Sequence, residues 1–133
     1  MRYAWNIKRE ISEEVVRDII TTAIEGGINY WAGIDNTKTA YKAAIQRLKE
    51  KGEQAFYESI VIELWNNHDS LVLYDLEDNE SYELTKDQFV KGCELYETNT
   101  GKSIVKQFDD AAFDAIDADM IFQYGIFGEV VFG

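Results

Sequence analysis

Hydrophobic and polar positions alternate with a period of two at the start of the chain. Tyr3, Trp5 and Ile7 stand against Arg2, Ala4, Asn6 and Lys8, which predicts a half-buried strand over 2–10. At Ser12 the period changes to that of a helix, with Val15, Val16, Ile19, Ile20, Ala23 and Ile24 on one face. Ser12 offers an N-cap, and Glu13 and Glu14 occupy the first turn, where the helix dipole favours acids. This helix is expected to stop at Gly26-Gly27, because glycine accepts the left-handed backbone that closes a helix. Tyr30 and Trp31 follow at once, two large rings beside a glycine pair that either anchor a core or line a pocket.

Tyr41, Ala44, Ile45 and Leu48 predict a second helix over 38–51, closed by Gly52. The run 54–65, with Ile60, Ile62 and Leu64 on one face, reads as a long strand, a helix being the alternative. Asn66-Asn67-His68-Asp69 is a turn cluster. Strands over 71–76 and 81–84 follow, joined by the acidic turn Glu77-Asp78-Asn79-Glu80, so that 54–84 forms a three-strand meander. Thr85-Lys86-Asp87-Gln88 matches a capping box and starts a helix whose inward face is Phe89, Val90, Cys93, Leu95 and Tyr96, ending at Gly101. A last helix over 118–127 turns Met120, Ile121, Tyr124 and Phe127 inward, and 129–133 closes the chain as a short strand. The economical fold is a single α+β domain over 1–133: an antiparallel β-meander with an N-terminal strand and about four helices packed on it.

Composition narrows the function classes. A chain of 133 residues that is 46% hydrophobic and 14% aromatic can bury a proper core. No apolar run approaches the roughly 20 residues of a membrane helix, and the first residues lack the apolar stretch of a secretory signal, so a cytoplasmic location is expected. Charge is uneven. Residues 1–52 carry nine Lys or Arg against seven Asp or Glu, a net of +2, whereas 53–133 carry four against eighteen, a net of −14. This balance disfavours direct binding to nucleic acid or to an anionic membrane, and it suits approach to a basic groove on another protein.

Candidate chemistry is sparse. One cysteine, Cys93, and one histidine, His68, leave no basis for a disulfide or a zinc site built from several such ligands. Asp109, Asp110, Asp114, Asp117 and Asp119 are rich in carboxylate oxygen, but their spacing fits no EF-hand loop, and no metal or cofactor is expected. His68 sits in a turn without a nucleophile beside it, and Cys93 falls on an inward helix face, so neither points to catalysis. Gly26-Gly27 follows a helix, whereas phosphate-cradling loops follow a strand and open a helix. No catalytic residue is assigned, and the chain is read as a non-enzyme.

Three pieces resemble a group of small acidic proteins encoded by bacteriophages, prophages and related mobile elements. They are Ile11-Ser12-Glu13-Glu14 leading into Glu25-Gly26-Gly27-Ile28-Asn29-Tyr30-Trp31, then Leu73-Tyr74-Asp75 through Tyr82-Glu83-Leu84-Thr85 and Lys91-Gly92, and last Gln123-Tyr124-Gly125-Ile126-Phe127-Gly128-Glu129-Val130-Val131-Phe132-Gly133. Gly125-Ile126 stands where the group has Ala-Leu, which weakens helical continuity there. The resemblance implies a bearer and carries no activity with it.

Small phage proteins that act outside the virion often block host defence, an association rather than a derivation. In that setting the acidic second half would dock into the basic channel of a host nuclease or defence complex, imitating nucleic acid. Asp75, Glu77, Asp78, Glu80, Glu83, Asp109, Asp110 and Asp114 would carry the contact. The alternative is a ligand-sequestering protein, with Glu25, Asn29, Tyr30, Trp31, Tyr124 and Phe127 around a small molecule such as a signalling nucleotide, whose phosphates would draw on Arg2, Arg9, Arg17 or Arg47. A third reading is a homo-oligomeric interaction protein of the phage without a ligand.

Overall fold

The computed structural model describes residues 2–6 and 9–133. Ile7 and Lys8, which the alternation placed in the first strand, lie outside the described residues. On either side of them the chain forms a hairpin rather than one strand. β1 (Tyr3–Asn6) pairs antiparallel with β2 (Arg9–Ile11), Tyr3 opposite Ile11, and both of those side chains enter the core.

Helix α1 (Glu13–Thr22) begins as its sequence dictates, with Ser12 Oγ accepting from the Val15 amide at 3.2 Å, and it buries Val16, Ile19 and Ile20. Its end is unlike the expectation. Gly26 and Gly27 do not adopt the left-handed backbone, which among glycines is confined to Gly52, Gly101 and Gly128. Instead the helix widens into a π turn over Ala23–Gly27, in which the Ile28 amide bonds to the Ala23 carbonyl at 2.8 Å. The second glycine is there for room: a β-carbon on Gly27 would lie 2.8 Å from the Ala115 carbonyl oxygen.

After Trp31 come β3 (Ala32–Ile34) and α2 (Thr39–Glu50). The segment read as a long strand is helix α3 (Tyr57–Asn66), in which Ile60, Val61, Ile62, Glu63, Leu64 and Trp65 are all buried. A helix enclosed on every side loses its 3.6-residue stripe, and the polar residues left in this one fell by chance at strand-like intervals. The three-stranded sheet therefore takes its third strand from elsewhere, in the order β3-β4-β5 with β4 (Leu71–Asp75) and β5 (Ser81–Leu84), both pairings antiparallel.

Helix α4 (Lys86–Thr100) carries the full Thr85–Gln88 capping box and ends on left-handed Gly101. A short helix α5 (Ile104–Asp109), not foreseen, precedes α6 (Ala115–Phe127), which starts three residues before the predicted point. Asp114 caps α6, and Asp117 completes a second capping box. The helix runs unbroken through Gly125, because that glycine is a contact rather than a break: α4 and α6 cross with Gly92 against Gly125, where a β-carbon on Gly92 would stand 2.8 Å from the Gly125 nitrogen. The residues α6 buries are Ala118, Ile121 and Phe122 with Asp117, Asp119 and Gln123, while Met120, Tyr124 and Phe127 are half-buried. Residues 129–133 form no strand and lie as a strap whose residues 131 and 132 bond to Gln123.

The α+β class and the single compact unit are as expected, with six α-helices among the described residues instead of about four. Trp65 is the hinge of the core. Its ring lies 6.3 Å from Tyr3 and 5.0 Å from Phe89, and its Nε1 donates to the Leu84 carbonyl at 3.0 Å. No helix among the described residues is long and apolar enough to cross a membrane.

Candidate functional site

The π turn aims Tyr30 and Trp31 at α6, and the last residues of the chain close over them. Trp31 is buried, stacked on Phe132 at 4.6 Å with the rings 7° from parallel and tilted against Phe127 at 5.7 Å. Its Nε1 donates to Asp119 Oδ1 at 2.8 Å, and the Tyr30 hydroxyl donates to Asp119 Oδ2 at 2.7 Å. Gln123, one turn further along α6, fills the rest of the network. Its Nε2 donates to Asp119 Oδ1 at 2.9 Å and to the Phe132 carbonyl at 3.1 Å, and its Oε1 accepts from the Val131 and Phe132 amides at 2.8 Å each. A single side-chain amide thus fastens the strap to the helix.

Asp119 is the electrostatic centre of this arrangement. It is only 7% exposed, and Trp31, Tyr30 and Gln123 bond it as neutral donors. Burial, reinforced by that carboxylate, pushes the Tyr30 phenol up to about 12, so the hydroxyl stays a donor at any physiological pH. Beside the network lies a cleft of about 700 Å³, with Asp119 at its floor, Ile116, Met120, Tyr124 and Val130 on its walls and Tyr30 at its rim. Among the described residues that line it there is no lysine or arginine.

The residues proposed for ligand binding are only partly brought together. Tyr30 and Tyr124 face the cleft, whereas Trp31 is a core anchor and Phe127 packs edge-on to Tyr82 at 4.9 Å. Asn29 is exposed and bonds back to the Glu25 carbonyl, and Glu25 borders a different depression, between α2 and α3 with Tyr41, Lys42 and Phe56. The arginines are spent elsewhere: Arg2 on Glu10, Arg9 on Glu97, Arg17 on Glu13 and Arg47 on Glu63. A pocket combining arginines with Tyr30 and Trp31 does not form.

Of the acids proposed for partner contact, Asp75 leaves the surface. It is 2% exposed and organises the β4–β5 turn, accepting from the Asp78 amide and from the Tyr82 hydroxyl at 2.9 Å, bonds that hold its carboxyl below the usual range. Glu77, Asp78, Glu80 and Glu83 are exposed on that turn and on β5, and Asp109, Asp110 and Asp114 are exposed before α6. They form two patches. Tyr82 packs on Phe127 at the end of α6 and Asp114 caps its start, so the 13 residues of the helix separate them by about 20 Å.

The sequence reading missed Asp119 and Gln123 as a pair and Phe132 as a lid. A signal was present: Asp119 and Gln123 stand at i and i+4 among the apolar residues of α6, a spacing at which two polar side chains meet in a hydrogen-bond network. It also missed Glu63, buried in α3 and held below its usual carboxylate range by Lys51 at 2.6 Å and Arg47 at 2.8 Å despite burial acting the other way. Cys93 is buried, His68 is exposed in the turn after α3, and no cluster of His, Cys, Asp or Glu among the described residues is arranged to hold a metal ion. No family model matches the chain, and no curated protein or solved structure is similar to it at a significant level.

Proposed function

We propose that this is a binding protein of a phage or prophage that inhibits a host nucleic-acid-acting defence complex, working in the host cytoplasm through its acidic second half. The observation that carries the reading is the separation of carboxylates into two groups. Asp75, Asp117, Asp119 and Glu63 are consumed inside the fold, while Glu77, Asp78, Glu80, Glu83 and Asp109 stand exposed without an ion-pair partner among the described residues. An unpaired anionic patch on the β4–β5 turn and, about 20 Å away, a second in which Asp109 is unpaired while Asp110 meets Lys106 at 3.2 Å suit a basic channel that otherwise holds a phosphate backbone, and such attraction speeds encounter and selects for basic partners.

The test is native mass spectrometry on tagged protein purified gently from the bacterial host, beside a variant carrying Glu77→Lys, Asp78→Lys, Asp109→Lys and Asp110→Lys. The reading requires a nucleic-acid enzyme that co-purifies with the parent chain, is released by salt and by competing DNA, and is absent from the variant. A partner that survives high salt and charge reversal overturns it, and a clean homo-oligomer with no partner returns the protein to the self-associating reading.

A further inference from the structure

We propose that the cleft beneath the C-terminal strap binds a small organic cation, an amine carried on an aromatic or aliphatic body. The inference concerns a site apart from the two acidic patches and stands whether or not they meet a partner. The cleft has the volume of small-molecule sites, about 700 Å³. Its mouth holds apolar side chains that the fold leaves uncovered: Ile116 is 70% exposed, Val130 41% and Tyr30 53%. Apolar surface gathered at a concavity gains by being covered.

The sign of the charge comes from the floor. Asp119 is buried, and a buried carboxylate is normally matched by a cation. Here Trp31, Tyr30 and Gln123 supply only neutral donors, and no lysine or arginine among the described residues lines the cavity. Among the described residues Asp119 Oδ2 accepts one bond, from Tyr30, and a carboxylate oxygen accepts two. An ammonium entering beside Tyr30 completes that oxygen's partners and neutralises the buried charge, and the Tyr30 and Tyr124 side chains that line the cavity supply aromatic surface for the body of the amine. The same floor repels phosphate and carboxylate groups, so a nucleotide is the wrong occupant for this cavity. The depression between α2 and α3 carries its charges, Glu25, Lys42 and Glu58, on exposed or half-buried side chains that water can screen, and serves as the internal control.

The experiment is an NMR titration of the isotope-labelled full chain with tryptamine, with indole-3-acetate and adenosine monophosphate as anionic counterparts. The Trp31 indole N–H, which donates to Asp119, is the reporter. Tryptamine should shift it saturably together with the Ile116 and Met120 methyls, with both anions at least about tenfold weaker, a selectivity of one decade in the dissociation constant. Ile116→Lys, at a position too exposed to disturb folding, should abolish the response, and Phe56→Ser should leave it intact. Asp119→Asn should bind the amine and the carboxylate alike; should that variant fail to fold, Ile116→Lys still decides. Equal binding of indole-3-acetate to the parent chain, absence of saturation by tryptamine in the millimolar range, or a response unchanged by Ile116→Lys would each overturn the proposal.

Discussion

Trp31 and Asp119, 88 positions apart in sequence, are joined by a hydrogen bond of 2.8 Å from the indole Nε1 to the carboxylate Oδ1. The bond ties the turn that follows α1 to the last helix, and it sets the expectations that follow.

Asp119→Ala should destabilise the protein by about 1–3 kcal/mol for each buried donor left without an acceptor, the Trp31 indole foremost. Trp31→Phe keeps a ring on Phe132 and should cost less. Because the two side chains touch, the double variant should fall short of the sum by about 0.5–3 kcal/mol. Urea unfolding of the four proteins measures this directly, and strict additivity would mean that the bond contributes nothing.

Shortening the strap should uncover the indole. Phe132→Ala removes the ring stacked on Trp31, and deletion of 131–133 also removes both amides that bind Gln123 Oε1. Tryptophan emission should move to longer wavelength in both, further in the deletion, with a lower melting temperature. Unchanged emission would show that Phe132 does not shield Trp31 in solution.

Gly26 and Gly27 should respond differently to alanine. At Gly26 the added methyl meets the Ala115 Cβ at 3.9 Å, an ordinary contact, whereas at Gly27 it meets the Ala115 carbonyl oxygen at 2.8 Å. Gly27→Ala should cost about 1–3 kcal/mol by forcing α6 away from the π turn, and Gly26→Ala should be nearly neutral. Thermal melts that rank the two the other way would refute the close approach.

Glu63 should make stability depend on pH. Its pKa is depressed in the fold below the ordinary 4.5, so its contribution is fully present above 4.5 and is lost as pH falls through the depressed value. Glu63→Gln should lower stability at neutral pH by about 1.5–3 kcal/mol, the worth of hydrogen bonds to a charged group, and should lose less than the parent below the carboxylate range. Denaturant midpoints of both proteins between neutral and strongly acidic pH would show the curves converging; parallel curves would contradict the assignment.

Where the chain's own local chemistry decides a feature, the sequence displayed it. The Ser12 cap, the Thr85–Gln88 capping box, the closing glycines Gly52 and Gly101, the acidic β4–β5 turn and the α+β class all depend on residues a few positions apart, whose side chains satisfy neighbouring backbone groups. The nature of 57–66 was beyond that range, because a helix enclosed by α1, α2 and the sheet has no polar face to reveal its period. The same holds for the candidate site. Tyr30 and Trp31 were recognisable as a pair, but only the approach of α6 through Gly27 made one of them a core anchor and left the other at a rim. Asp75 and Glu77 look alike in sequence, yet one lies inside a turn and the other on the surface. Tertiary structure assigned Asp119 its two distant donors, Tyr30 and Trp31, and Phe132 its place as a lid, because burial and hydrogen bonding between residues 88 or more positions apart are set by how the elements pack and leave no mark on local spacing.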